Sequence, residues 1–363
     1  MNRRGYLDWL RGIAVLIMIE AHTLDAWTRL GDRGTVWYAW AMIIGGFGAP
    51  IFLFLAGVAQ PLAAGSRMRR GRSEAEAAAI GRRRGWQIFG LAFLFRLQSW
   101  LISGGPWRLS LLKVDILNVM GLSLVLGAWL WGLARTRASR ALLLGAAAVA
   151  ATLLTPLVRA TPLLTPLPDP IEWYLRPDPG RGTFTLFPWA GFLLAGAAVG
   201  IWLDAARTTR EETRVSLWLL AIGVALAAGG YAASWLPPLY ANTSFWTSSP
   251  TFFFLRLGIL VAAVPVAYAW RRAWKGYAPL EDFGRASLFV YWVHVEIVYG
   301  VLTGPIHKQL PLPHAALAFG GFSLLLFVLA KAAYTATFTT FTKALKDALA
   351  RRLLRDPRDL RGS

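Results

Sequence analysis

The sequence predicts an all-α fold, a polytopic transmembrane helix bundle of about 10 spans with both termini cytoplasmic. Three observations predict it. Hydrophobic residues make up 56% of the 363, Trp alone occurs 18 times, and mean hydropathy is +0.47. Apolar runs of about 18 to 25 residues recur along the whole chain, each long enough, at about 1.5 Å per residue, to cross about 30 Å of hydrocarbon. Arginines gather in alternate connecting segments, the pattern that sets orientation in a membrane.

The first span, roughly 7–27, follows the basic "NRR", and the second, roughly 37–62, ends at "SRMRRGR". A third over roughly 86–103 follows "GRRR", and a fourth over roughly 115–134 stops before "RTRASR". The fifth, roughly 141–158, leaves that basic segment for a proline-rich one, and the sixth, roughly 184–203, returns to "RTTREETR". From there the seventh, roughly 215–235, departs, and the eighth, roughly 251–270, ends at "RRAWKG". The ninth covers roughly 286–303 and the tenth roughly 315–338. On this reading the inner segments hold 26 of the 38 Lys and Arg and the outer ones 8, which places both termini inside. Residues 1–338 are then one transmembrane domain and 339–363 a basic cytoplasmic tail. In the tail Leu345, Leu349 and Leu353 recur at four-residue spacing among Lys and Arg, as in an amphipathic helix on an anionic leaflet. The first span is too long and too charged for a cleaved signal and is expected to stay in the mature chain.

The same composition excludes several chemistries. Zero cysteines leave no disulfide and no thiolate nucleophile, and the four histidines, His22, His294, His307 and His314, are too scattered to suggest a metal site. A formal charge of +19 would suggest nucleic acid in a soluble chain, but here the arginines sit in short loops and read as topology, so no nucleic-acid partner is expected. The longest outer segment, "PLVRATPLLTPLPDPIEWYLRPDPGRG", holds seven prolines and cannot be helical throughout. It is either a rigid connector or a cover over an external opening whose Trp173 and Tyr174 could stack on a sugar.

Polar residues inside the apolar runs carry the functional signal. In "RGIAVLIMIEAH", Arg11 and His22 are eleven residues apart, about three turns and about 16 Å along one helix face. Asp8 and Asp25 lie three residues outside them on that face, within reach of each neighbour. Glu20 points about 200° away from His22. Ionisable groups within spans cost about 2.5 to 3.5 kcal/mol on insertion scales and usually face a cavity or a partner. Arg96, Asp115, Arg256, His294, Glu296 and Lys331 belong to this set, with span-end anchoring the alternative for Asp115, Arg256 and Lys331 and a structural ion pair the alternative for Arg96.

Several segments together resemble a known family. Arg11 to His22 matches the R-x10-H pattern of acyltransferase-3 membrane proteins, and "LDWLRGIAVLIM" is similar to their opening. The closer resemblance is to the heparan-alpha-glucosaminide N-acetyltransferase catalytic domain family and its bacterial relatives. It rests on "APIFLFLAG" (Pro50, Phe52, Phe54, Gly57), "VDILNVMGLSL" with Asp115, "FPWAGFLLAGAAVG" with Trp189, and "GRASLFVYWVH" with Ser287, Tyr291 and His294.

That resemblance implies an integral membrane acyltransferase that moves an acyl group, in the first place acetyl, from cytoplasmic acyl-CoA to an extracytoplasmic amine or hydroxyl. The acceptor would be a glycan or a lipid-linked sugar. Acetyl-CoA would be the donor substrate, with no permanently bound cofactor. A pantetheine arm spans the distance from Arg11, which would bind phosphate, to His22, which would act as general base with Asp25 fixing its tautomer. An acyl-His22 intermediate is the other route. Arg96, with Arg82, Arg83 and Arg84, would add charge at the nucleotide end, and Asp115, His294, Tyr291 and Trp189 would line the acceptor side. The glycines at 45, 46 and 48 and at 191, 196 and 200 serve either close packing or a thin tunnel. The expected location is the bacterial inner membrane, among its lipids, with room for a homodimer. The rivals are a secondary transporter or flippase using the same polar residues as a pathway, which lacks a visible internal repeat, and a scaffold, which leaves the alignment of Arg11 with His22 unexplained.

Overall fold

The structure, a computed structural model, describes residues 4–334 apart from 104–105, 179, 183 and 242. The tail predicted over 339–363 lies outside the described residues. Among those described, the chain is helical, with isolated bridges in place of strands. In order the helices are α1 (Gly5–Trp27), α2 (Val36–Gly45), α3 (Gly48–Met68), α4 (Glu74–Ser103) and α5 (Trp107–Leu112). There follow α6 (Ile116–Leu133), α7 (Arg137–Leu153), α8 (Thr155–Ala160), α9 (Asp169–Glu172) and α10 (Leu186–Ala205). The last five are α11 (Thr209–Ala233), α12 (Pro250–Ala273), α13 (Pro279–Arg285), α14 (Ser287–Tyr299) and α15 (Leu312–Tyr334).

Seven stretches are long and apolar enough to cross a membrane: α2 with α3, α6, α7 with α8, α10, α11, α12 and α15. Outward-facing Leu142, Leu217, Trp218 and Leu317 are exposed, as side chains against lipid would be. The other long or apolar helices fall short for stated reasons. The first carries Asp8, Arg11, Glu20 and Asp25; α4 opens with acids and three arginines, and its apolar remainder is broken by Gln87, Arg96 and Gln98; α14 has only 13 residues.

Helix α4 starts well before the predicted span at 86, because Ser73 and Glu76 cap it reciprocally. The Glu76 N–H donates to Ser73 Oγ at 3.2 Å and the Ser73 N–H to Glu76 Oε2 at 2.9 Å. Arg82, Arg83 and Arg84 therefore lie on a helix rather than in a loop.

Helix α1 is the hub, touching α2, α3, α12, α13, α14 and α15. Backbones approach closely where glycines allow it. A Cβ on Gly57 would lie 1.9 Å from the Leu193 carbonyl oxygen, and one on Gly196 2.0 Å from that of Phe54, so α3 and α10 lock together. Glycines 196 and 200 serve that packing, while 45, 46 and 48 line a cavity.

Tertiary bonds define two ends of the bundle. At the basic end Arg4 donates to the Leu203 and Ala206 carbonyls and pairs with Glu212, Arg69 with Asp204 and Arg140 with Glu74. At the opposite end the Val114 N–H donates to the Arg181 carbonyl and Trp292 to Gln98. There Asp32 accepts the Leu312 N–H at the start of α15, and that bond together with Arg29 holds its carboxyl below the usual range. The proline-rich segment at this end folds into short helical turns, and Trp173 is buried with Val114 and Val119. Its ring is core, not an exposed platform for a sugar.

Candidate active site

Helix α1 places Arg11 and His22 on one cavity of about 930 Å³ that also takes walls from α2, α3, α4, α6 and α14. That volume is at the upper end of the range of small-ligand sites. Arg11, Arg67 and Arg84 line it toward the basic end. Toward the opposite end it is lined by His22, Arg96, Asp115, Tyr291, Glu296 and Tyr299. The two groups belong to the two ends because Arg11 and His22 are separated by about three turns, about 16 Å of one helix.

Arg11 is fixed by its own helix, donating to Asp8 Oδ1 at 2.8 Å; Asp8 is buried. The i,i+3 spacing expected for this pair is realised. His22 meets an unforeseen partner. Its Nδ1 lies 2.8 Å from Nε2 of His294 on α14, and the two ring planes are 3° apart. Parallel planes with ring nitrogens in hydrogen-bond contact mean that the rings join edge to edge rather than stack.

The chain of bonds fixes the proton positions. His294 Nδ1 lies 2.9 Å from the Val290 carbonyl, which can only accept, so this nitrogen carries its hydrogen. In the neutral ring Nε2 is then the acceptor, and His22 Nδ1 donates to it. The lone pair of His22 is left on Nε2, on a ring that lines the cavity. The arrangement can do what a base with a fixed tautomer does: accept a proton at Nε2.

Asp25 does not make the contact expected of it. Its carboxylate, half exposed, pairs with Arg33 at 3.4 Å and accepts from Tyr299 at 3.5 Å. The Tyr299 ring in turn stands edge-on to His22 at 5.6 Å between centroids. The group on His22 Nδ1 is His294, because α14 reaches that face of α1 and Asp25 lies a turn further toward the loop.

Arg96 also lies elsewhere than expected. It pairs with Asp115 at 3.2 Å, beside Phe95, whose ring meets Tyr291 and Trp292 of α14. That is the level of His294, away from Arg11. Asp115 is the N-cap of α6, accepting from the Leu117 and Asn118 N–H groups through Oδ1 while Oδ2 faces Arg96. Trp189 and Tyr291 line the cavity, Trp189 packed edge-on against Phe184 at 4.9 Å. Of the three consecutive arginines on α4, Arg84 lines the cavity and Arg82 covers the Trp129 ring at 4.4 Å.

Thus Arg11, His22, Arg96, Asp115, Trp189 and Tyr291 share one cavity, His294 joins it through His22, and Asp25 stands outside. Sequence reasoning missed Arg67, whose signal was its place at the basic end of α3. It also missed the pairing of His22 with His294, for which a separation of 272 residues gives no signal.

A family model described as "Heparan-alpha-glucosaminide N-acetyltransferase, catalytic" matches residues 3–230, more than half of the chain. The match takes in Arg11, His22, Arg96, Asp115 and Trp189, and ends before Tyr291 and His294. No curated protein matches the chain.

Proposed function

The chain belongs to the heparan-alpha-glucosaminide N-acetyltransferase catalytic family, and on that premise we propose that it transfers acetyl from cytoplasmic acetyl-CoA to an extracytoplasmic acceptor, a sugar amine or hydroxyl on a glycan or lipid-linked saccharide. The observation that carries the reading is one cavity with Arg11 at one end and the His22–His294–Val290 bond chain toward the other. Around the seven apolar stretches, α1, α4 and α14 complete a ten-span bundle, with residues 1–338 as its domain and the basic end cytoplasmic. The setting is the bacterial inner membrane.

In this reading CoA enters at the basic end, where Arg11, Arg67 and Arg84 take its phosphates. The thioester reaches His22 along the pantetheine arm. His22 Nε2 removes the proton from the acceptor N–H or O–H as that atom attacks the thioester carbonyl. The C–S bond breaks, the new C–N or C–O bond remains, and the proton passes from His22 to the departing CoA thiolate. His294 positions the base by accepting its Nδ1–H, the place first given to Asp25. Arg96, at the level of His294, serves the developing negative charge on the thioester oxygen rather than the nucleotide.

Detergent-purified protein tests this with acetyl-CoA binding and turnover. Wild type is expected to bind acetyl-CoA, Arg11→Ala to bind it more weakly, and His22→Ala to bind normally while losing about 10²- to 10⁴-fold in turnover. Absence of acetyl-CoA binding by the wild type would sink the proposal.

A further inference from the structure

A second cavity, about 390 Å³, adjoins the first at the end away from the basic loops, and Trp189 lines both. Its wall holds two guanidinium groups, Arg159 of α8 and Arg256 of α12. Three other buried or half-buried arginines meet carboxylates, Arg96 with Asp115, Arg140 with Glu74 and Arg176 with Glu172. These two do not, among the described residues. The Nε of each is buried without an acceptor. Arg159 donates to the Phe187 carbonyl at 3.5 Å. Arg256 lies over the Phe252 ring at 4.0 Å and near that of Phe47 at 5.6 Å. The one acid on this wall, Asp178, already faces Arg181 at 3.4 Å.

A cation within a membrane protein's span is costly and is normally matched by an anion or a polar cavity. Here the protein supplies the cavity, and the acid on its wall, Asp178, pairs with Arg181 rather than with Arg159 or Arg256. Aromatic faces hold the Arg256 plane, as cation–π contacts do, and leave its hydrogen-bonding fork for a planar or tetrahedral oxyanion. The ring of Trp246 completes an amphipathic wall suited to a sugar face. Arg256 also borders the first cavity: a Cβ on Gly46, which lines that cavity, would lie 2.8 Å from Arg256 Nη2.

We propose that the second cavity is a subsite for an anionic oxygen group, phosphate or carboxylate, carried by the acceptor, with Arg256 and Arg159 as its cationic ligands and Trp189 as the partition between it and His22. Its part in transfer rests on the acyltransferase reading; its binding of anions does not.

Calorimetric titration of the detergent-purified full chain tests this with four probes: glucose 1-phosphate, glucuronate, glucose, and a short-chain phosphatidylglycerol. Saturable binding of either anionic sugar, none of glucose, and at least about tenfold weaker binding in Arg256→Gln and Arg159→Gln is the expected result. Should Arg256→Gln not survive purification, Arg159→Gln at the same wall gives the same reading. Acetyl-CoA binding by both variants should equal that of wild type. Equal binding of glucose and the anionic sugars, or no loss in either variant, overturns the subsite. Binding of the phospholipid alone overturns its assignment to the acceptor and makes it a headgroup site. If acetyl-CoA binds and the anions do not, the subsite fails and the acyltransferase reading stands; the reverse result removes acyl transfer and leaves an anion site.

Discussion

In the proposed reaction His294 separates the positioning of a base from the base itself. It touches His22 through Nε2 and is fully buried, so its effect on transfer must pass through the tautomer of His22. His294→Leu removes the acceptor and leaves His22 free to carry its hydrogen on either nitrogen. Turnover is expected to fall at least about tenfold with KM for acetyl-CoA unchanged. His294→Gln, whose amide oxygen can stand where Nε2 stands, should recover most of it. A steady-state comparison of the two variants decides the matter. Equal loss in both, with KM raised, would mark His294 as a packing residue only. Arg96 and Asp115 make the same point differently, since the carboxylate that pairs with the cation also caps α6. Removing it disturbs a helix as well as a charge.

Helices hold these side chains in place through close backbone contact, and α3 against α10 is the clearest case. Gly57 and Gly196 each face a carbonyl of the other helix with no room for a methyl group. The cavity side of α3 carries Phe52, Gln60 and Arg67, so any separation of the pair moves the wall. Gly196→Ala is expected to cost about 1 to 3 kcal/mol by overpacking and to lower the thermal midpoint measured in detergent. Gly229→Ala, on α11 with open space at its Cβ position, should leave the midpoint unchanged or raised. An unchanged midpoint in Gly196→Ala would show that the helices can part at no cost. The hub position of α1 has a parallel origin. Gly12 and Gly284 bring α13 against it, a Cβ on Gly284 falling 1.8 Å from the Asp8 carbonyl oxygen, next to the acid that fixes Arg11.

At the scale of the whole molecule, the proposed reaction needs the two ends of the cavity to face different compartments. The absence of native cysteine makes this directly measurable. Arg70→Cys, in the turn between α3 and α4, and Ser244→Cys, between α11 and α12, both sit at exposed positions. In intact cells a membrane-impermeant maleimide should label the second and spare the first. Labelling of Arg70→Cys and not Ser244→Cys would invert the bundle and place Arg11 on the wrong side for cytoplasmic acetyl-CoA. The charge imbalance argues for the stated orientation, because lysines and arginines resist translocation.

The sequence by itself determined the solvent, the helical class and the charge asymmetry, because each is a running property of the chain: hydropathy sets burial in lipid, and loop arginines accumulate at one end. It also determined that Arg11 and His22 share a face, since eleven residues is close to three whole turns. Asp8 as the partner of Arg11 followed from the same local periodicity. Only the tertiary structure decided what His22 touches, because His294 comes from a helix 272 residues away and no local rule reports such a pairing. It likewise moved Arg96 from the nucleotide end expected of it to the level of His294, because the turns of α4 that carry Phe95 and Gln98 pack against Tyr291 and Trp292 of α14. Asp25 and Trp173 illustrate the limit from the other side. Spacing makes a contact available, and packing of the neighbouring helices decides whether it is made.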